Sequence, residues 1–236
     1  FTEGMLTLDP EAYSLRWYRE IFNDPKWILA IKNSFFIGIL STILATILGT
    51  CAAVGLARDE MPFRRFITAL LLSPMIVPLI ITAAGMFFFY SNLGLAGGYL
   101  GVILAHAALG TPFVIITVTA TLTGFDYSLA RAALNLGATP IRVFFDVIMP
   151  LIRPGVISGA LFAFITSFDE VVVILFMAGP QQRTIPRQMF SGLREQINPS
   201  ILAIATLLIL VSIALLVTIE LLRRRAERMR GIEIPN

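Results

Sequence analysis

The sequence predicts an all-α membrane protein, a bundle of helices that crosses the bilayer several times. Of the 236 residues, 57% are hydrophobic and only 14% are charged, whereas a soluble domain carries about 25% charged residues. Five apolar runs are long enough to cross a bilayer, which takes about 20 residues in a helix. Polar stretches between these runs are short. We therefore predict that residues 1–236 form one transmembrane domain.

The five predicted spans follow one another with polar connections of different lengths. They cover residues 28–56, 66–90, 99–122, 154–178 and 201–222. Residues 1–27 mix aromatic and charged side chains, which favours a segment along the membrane interface, with a solvated loop as the alternative. The longest polar interior segments are residues 126–150 and 179–200. The first of these predicts a contact with a soluble partner, because it combines charge with helical periodicity.

Basic residues predict the orientation of the spans, since cytoplasmic loops carry an excess of Arg and Lys. With alternating spans, eleven of the 18 basic residues fall on one side, in short loops and the C-terminal tail, and seven on the other. Segment 126–150 and the C-terminus are thus predicted to be cytoplasmic. Five spans then place residue 1 outside. Because no signal-peptide pattern opens the chain, we expect a leading helix upstream of residue 1.

Segment 126–150 is predicted to contain two short helices that meet at Gly137. Asp126 can cap the first helix and Thr139 the second, and Pro140 stands at the first helical position, where its missing N–H costs nothing. The first helix carries apolar residues at helical spacing, namely Leu129, Ala132, Ala133 and Leu136. A bent helical segment outside the membrane offers a surface to another protein.

Motifs of enzymes and of nucleic-acid binding are missing from the sequence. No G-x-x-x-x-G-K-[ST] loop occurs, so the chain has no P-loop of its own for ATP. The single histidine, His106, lies in the third span without an H-E-x-x-H motif, which argues against a metalloprotease. Basic and aromatic residues do not cluster as in nucleic-acid-binding surfaces. We expect no catalytic residue, metal or nucleic acid, and we assign His106 to a hydrogen bond between helices, with a pathway role as the alternative.

The adjacent acids Asp169 and Glu170 are the most informative polar residues inside a predicted span. A charged carboxylate at the bilayer centre costs about 2.5–3.5 kcal/mol even on insertion scales, so such residues usually face a water-filled cavity or a partner. Neighbouring side chains point about 100° apart on a helix, so we expect only one to face a cavity. One interpretation is a site for a cationic substrate. The other is a partner for an Arg of another helix, or a helix that surfaces earlier.

The segment between the third and fourth spans contains R-A-A-L-N-L-G at 131–137 and V-I-M-P at 147–150. This pattern resembles the EAA motif, E-A-A-x3-G-x9-I-x-L-P, of the permease subunits of binding-protein-dependent ABC importers with the type I fold. Four positions match outright, namely Ala132, Ala133, Gly137 and Pro150. Val147 and Met149 replace Ile and Leu conservatively, whereas Arg131 stands where the family usually has Glu. If the contact is kept, Arg131 should meet an acid on the ATPase.

The resemblance implies a MetI-like permease fold in which segment 126–150 couples the membrane helices to a separate ABC ATPase. ATP and Mg would be bound by that ATPase, with no cofactor in this chain. A smooth alanine face can enter a groove of the ATPase, and Gly137 supplies the backbone freedom for the bend. The residues that the resemblance assigns to the contact are Leu129, Arg131, Ala132, Ala133, Leu136, Gly137 and Pro150.

Residues 167–213 look most like the spermidine and putrescine permeases, especially the second of their two subunits. That similarity implies six spans, a second homologous permease, an ATPase dimer, a soluble substrate-binding protein and a bacterial inner membrane with its lipid. It also adds weight to Asp169 and Glu170, because a polyamine is a polycation. Related permeases carry opines, other amines and small organic solutes, which remain alternatives.

Two other classes of protein are weighed against the importer subunit. A stand-alone secondary transporter or channel would need coupling charges in several spans or an internal repeat, and the sequence has neither. A purely structural membrane subunit would make the EAA-like pattern a coincidence. The importer subunit accounts for more of the chain.

Overall fold

The computed structural model describes residues 16–58, 61–195 and 200–229, and in these ranges all regular structure is helical. The all-α prediction is confirmed for this part of the chain. In chain order the helices are α1 Arg16–Asn23, α2 Pro25–Leu56, α3 Arg64–Ile76, α4 Leu79–Asn92, α5 Tyr99–Leu122, α6 Tyr127–Asn135, α7 Pro140–Val143, α8 Met149–Asp169, α9 Val172–Met177, α10 Ile185–Glu195 and α11 Ser200–Met229. A π-helical turn, Phe144–Ile148, joins α7 to α8.

Within the described ranges, three continuous helices are long and apolar enough to cross a membrane. They are α2, α5 and the helix Pro140–Asp169, which runs from α7 through the π turn into α8. The pair α3 and α4 would add a fourth if it forms one span. Helix α11 contains the fifth predicted span, 201–222, and its apolar part covers Ser200–Ala214. Most of predicted segment 1–27 and the end of the basic tail lie outside the described residues.

Two predicted spans differ from the helices that form. The second span, 66–90, is divided into α3 and α4, whose axes are bent by 106°. The break lies at Val77, which is extended (φ −72°, ψ 136°), because the ring of Pro78 disfavours a helical conformation in the residue before it. Pro74, by contrast, is accommodated inside α3. The fourth span, 154–178, ends early, since α8 stops at Asp169 and a separate short helix follows.

Helices α2, α5 and α8 form the tightly packed centre of the protein. Gly159 of α8 lies so close to α5 that a methyl group there would come within 2.8 Å of the Val114 Cα atom. On the other side of Val114, a methyl group at Gly49 of α2 would come within 2.6 Å of its Cβ atom. Gly155 and Gly159, four residues apart on α8, thus form a face of small residues that lets helices approach closely. Gly97 precedes α5, so Gly97 and Gly101 do not form a comparable helix face.

Candidate coupling segment and helix break

The N-terminus of α6 is capped by Asp126, as the sequence predicts. The Oδ1 atom of Asp126 accepts a hydrogen bond from the backbone N–H of Ser128 at 2.8 Å, and Oδ2 accepts one from the Ser128 hydroxyl at 2.7 Å. These hydrogen bonds, with a smaller contribution from the charge of Arg131, hold the pKa of Asp126 below its usual range. The acid therefore stays ionised and fixes the start of α6.

The bend after α6 depends on Gly137, whose φ of +85° lies in the left-handed region. The N–H of Gly137 donates to the Leu134 carbonyl at 3.0 Å, and the N–H of Ala138 donates to the Ala133 carbonyl at 3.1 Å. Such bonds close the end of a helix, and glycine adopts this conformation without the steric penalty of a Cβ atom. Thr139 then caps α7, and its hydroxyl accepts from the N–H of Arg142 at 3.4 Å. Two short helices around Gly137 are confirmed.

Most of the predicted contact residues lie on the surface. The exposed ones are Leu129, Arg131, Ala132, Leu136, Gly137 and Pro150, whereas Ala133 is half-buried. Leu136 is the extreme case, with 89% of its surface exposed at the end of α6. Ala130, by contrast, is buried and lies on the face of α6 that packs against the rest of the protein. Burial on a partner would remove the unfavourable exposure of Leu136 to water.

A cavity of about 330 Å³ opens beside α6, between the end of α5 and the start of α8. It is lined by Ala120, Thr121, Gly124, Phe125, Asp126, Leu129 and Leu151. The lining combines apolar side chains with the ionised Asp126. The surface of segment 126–150 thus has a concave part next to the start of α6, at the end opposite Leu136.

Asp169 and Glu170 lie at a break between helices, and not side by side on one helix as the sequence suggested. Asp169 is the exposed last residue of α8, while Glu170 is extended (φ −73°, ψ 124°) and only 7% exposed. The Oε1 atom of Glu170 accepts from the backbone N–H of Val173 at 2.8 Å. Glu170 therefore serves as a cap for α9, a role that neither of the two interpretations included.

The run Val171–Val173 is the sequence signal that could have indicated this break. β-Branched residues lose side-chain freedom in a helix, so three in succession weaken it. An acid just before them can satisfy the N–H groups that a new helix leaves free. Within the described residues, neither Asp169 nor Glu170 forms an ion pair with an Arg.

The other end of α9 is closed by Arg187 of α10. Its Nη1 atom donates to the Ala178 carbonyl at 2.8 Å and to the Gly179 carbonyl at 3.0 Å. Burial, together with the nearby charge of Arg183, lowers the pKa of Arg187. Both ends of the short helix α9 thus have an ionisable side chain as a hydrogen-bonding partner.

A cluster of hydrogen bonds holds residues 181–185 against the N-terminal parts of α2 and α5. The amide nitrogen of Asn33 donates to the carbonyls of Gln181 at 2.7 Å and Arg183 at 2.8 Å. The Tyr99 hydroxyl donates to Asn33 Oδ1 at 2.9 Å, and the N–H of Ile185 donates to the Ser34 hydroxyl at 2.8 Å. Sequence reasoning missed this cluster, because its members are far apart along the chain.

His106 forms the predicted hydrogen bond between helices. Its Nδ1 atom lies 2.8 Å from the hydroxyl oxygen of Ser167 on α8. The hydroxyls of Ser167 and Ser41, on α2, are 2.9 Å apart. All three side chains are buried, and no described residue contacts His106 Nε2 with a hydrogen bond.

Comparison with known proteins decides the family of the chain. The model of the family described as "binding-protein-dependent transport system inner membrane component" matches residues 42–228. The chain belongs to this family. It is therefore a multi-pass membrane protein and a permease component of an ABC importer, and not an enzyme. Membership implies a separate ATPase and a substrate-binding protein.

Curated relatives match nearly the whole chain. The chain is 32% identical over 225 residues to the spermidine/putrescine transport system permease protein PotC of Haemophilus influenzae, with 95% of this chain and 88% of that protein covered. Identity to the putrescine transport system permease protein PotI of Escherichia coli (strain K12) is 36% over 220 residues, with 89% and 77% covered. The sulfoquinovosyl glycerol transport system permease protein SmoH of Agrobacterium fabrum is 30% identical over 199 residues, with 81% and 70% covered.

Solved structures confirm the fold class. An inward-facing MetNI methionine ABC transporter has a chain that matches with a TM-score of 0.64 at 18% identity, covering 94% of this chain and 100% of that one. A bacterial ABC transporter for import of alginate matches with a TM-score of 0.65 at 19% identity, covering 83% and 69%. The arrangement of helices is thus that of type I importer permeases.

Proposed function

We propose that this chain is one permease subunit of an importer in the bacterial cytoplasmic membrane, and that its substrate is a polyamine or a related small organic cation. Its partners would be a second homologous permease, an ABC ATPase dimer and a soluble binding protein. The names of PotC and PotI support the substrate class, and the basic residues support a cytoplasmic C-terminus. ATP and Mg are assigned to the ATPase, and membrane lipid would contact the exposed apolar side chains of the helix bundle.

The break at Glu170 is the observation that best supports a cationic substrate. In some transporters, free N–H groups at the start of a half-helix bind an anionic substrate. Here the carboxylate of Glu170 occupies that position and accepts from Val173 N–H. The exposed carboxylate of Asp169 is left beside it. The local charge is negative, so the break attracts an ammonium group and repels an anion.

Exposure of Asp169 supports a place on the translocation pathway. A carboxylate in contact with lipid is costly, so an exposed acid in a membrane helix is expected to face water or another subunit. The described residues offer it no cationic side chain as an ion-pair partner. The second permease would enclose this face and leave Asp169 on a polar path between the subunits.

The continuous helix Pro140–Asp169 offers a direct mechanical connection between the two candidate sites. It has 30 residues and spans about 45 Å at 1.5 Å per residue. Its first residues belong to the coupling segment, and its last residue is Asp169. A displacement of segment 126–150 by the ATPase would therefore move Asp169 as well, as a rigid-body switch biased by ATP bound elsewhere.

A non-cationic substrate is the second candidate, and SmoH is the observation that favours it. That relative is named for sulfoquinovosyl glycerol, although it is 30% identical to this chain. Family membership alone thus leaves the substrate class open. Opines and other small organic solutes belong to the same alternative.

Uptake by the reconstituted complex tests the proposal. The permease would be purified with the ATPase that accompanies it, reconstituted in liposomes, and supplied with its binding protein loaded with labelled spermidine, putrescine, octopine or sulfoquinovosyl glycerol. We expect ATP-dependent uptake of the two polyamines. Uptake of only the other compounds would refute the cationic substrate, and absence of an accompanying ATPase would refute the assignment of segment 126–150.

A further inference from the structure

A connection of buried polar side chains crosses the centre of the helix bundle. It consists of Ser41 on α2, Ser167 on α8 and His106 on α5. Ser167 is the middle member, since its hydroxyl lies 2.9 Å from that of Ser41 and 2.8 Å from His106 Nδ1. Each of the three residues is at most 5% exposed. The Ser167 hydroxyl thus links α8 to both α2 and α5.

Stability alone does not account for these polar side chains. Hydrogen bonds between membrane helices contribute little on average, because the separated helices also find partners. Apolar residues of similar size would pack equally well at such positions. Hydrogen bonds differ from apolar contacts in being directional, since the interaction weakens steeply when donor and acceptor are misaligned.

The closest contacts of α8 with α5 lie before the last turn of α8. They are built from small residues, with Gly155 and Gly159 against α5 and Ala163 close to Gly110. Small residues of this kind let helix backbones approach closely. Further along the helix, Phe168 packs edge-on against Phe35 of α2, with ring centroids 5.2 Å apart.

Ser167 and Asp169 are two residues apart and therefore point about 200° apart on the helix. A Ser167 side chain held inward by α2 and α5 aims Asp169 outward, and Asp169 is in fact exposed. The hydrogen bonds of Ser167 act on the last turn of α8, directly before the break. They restrain that turn directly, whereas the glycine contacts lie about two turns or more earlier in the helix.

We infer that Ser167, with Ser41 and His106, positions the last turn of α8 and thereby aims the Asp169 carboxylate into the translocation pathway. This inference rests on the proposed function, since it assigns a task to Asp169. Ser167 is a positioning residue and does not touch the substrate. Loss of its hydroxyl should leave the complex assembled but make transport less efficient.

Polyamine imported per ATP hydrolysed is the quantity that tests the inference, because misfolding lowers both rates together and leaves their ratio unchanged. The ratio would be measured with spermidine-loaded binding protein for the complexes carrying Ser167→Ala, Asp169→Asn and both changes. We expect Ser167→Ala to lower the ratio about three- to tenfold. In the Asp169→Asn background, the same change should have no further effect. Ser158→Ala, a half-buried serine of α8, is the matched control.

Each outcome of this comparison of single and double variants decides a specific claim. An unchanged ratio in Asp169→Asn would overturn the pathway role of Asp169 and this inference with it. A lowered ratio in Asp169→Asn with a normal one in Ser167→Ala would overturn the inference alone. If Ser167→Ala lowers the ratio by the same factor in the wild-type and the Asp169→Asn backgrounds, the inference alone is likewise overturned.

A second variant keeps the test decisive if Ser167→Ala does not assemble. The triple change Ser41→Ala, His106→Leu, Ser167→Ala removes all the polar atoms together and leaves no buried donor unpaired. We expect this complex to assemble and to show the same lowered ratio. A normal ratio in the triple variant would refute the inference.

Discussion

The carboxylate of Glu170 accepts a hydrogen bond from the backbone N–H of Val173 at 2.8 Å. A buried acid thus caps the start of the helix that follows it. The preceding residue, Asp169, ends α8 and is exposed. Two adjacent acidic residues thus have different roles. Glu170 belongs to the architecture of the break, whereas Asp169 is the candidate for contact with substrate.

Replacement of Glu170 should separate its hydrogen bond from its charge. Glu170→Ala leaves the Val173 N–H buried without this partner, which typically costs about 1–3 kcal/mol. Glu170→Gln keeps an accepting oxygen and removes only the charge. We expect Glu170→Ala to lower the midpoint of thermal unfolding of the purified complex clearly more than Glu170→Gln. Equal midpoints for the two variants would contradict the capping role.

Gly137 should be required for binding of the ATPase. A residue with a Cβ atom at φ +85° is strained by roughly 1–2 kcal/mol, so Gly137→Val should displace α7 relative to α6. We expect less ATPase to co-purify and uptake to fall in proportion. Gly85→Val, in α4 and outside segment 126–150, is the matched control, because no atom lies within 4 Å of its added Cβ and its φ is not positive. Normal ATPase binding by Gly137→Val would argue against segment 126–150 as the contact.

Arg131 should interact with an acidic residue of the ATPase. It is exposed on α6, and the Arg that follows it along the chain, Arg142, already forms an ion pair with Asp146 at 3.2 Å. Arg131→Glu should therefore weaken ATPase binding more than Arg142→Gln does, and the difference should shrink at high salt. The affinity would be measured with purified ATPase.

A reciprocal change makes the Arg131 prediction specific. If the acid on the ATPase is replaced by Lys, binding to the Arg131→Glu permease should recover. Equal affinities of wild type and Arg131→Glu at low salt would mean that the reversed charge has no partner.

Arg187 should stabilise the C-terminal end of α9. It donates to the Ala178 and Gly179 carbonyls, and hydrogen bonds from charged groups contribute about 1.5–3 kcal/mol when well shielded. We expect Arg187→Gln to lower the midpoint of thermal unfolding by a few degrees, with Arg183→Gln as the control. If instead Arg187→Gln changes only the affinity for the binding protein, its main role is docking.

The sequence alone determined the fold class, the family pattern and the local structure of segment 126–150. Asp126, Gly137 and Thr139 act on residues within three positions of themselves, so their roles follow from rules of helix ends. The number and length of the apolar runs likewise predict that the chain lies in a membrane. Boundaries of the spans were less accurate, because Pro154 is accommodated in α8 whereas Pro78 ends α3.

Only the tertiary structure decided how the buried polar groups are paired. Ser41 and Ser167 are 126 positions apart, and Asn33 and Arg183 are 150 apart. No local periodicity relates such residues, and their partners depend on how α2, α5 and α8 pack. The different tasks of Asp169 and Glu170 arise in the same way, since the break turns one carboxylate toward the backbone of α9 and leaves the other exposed.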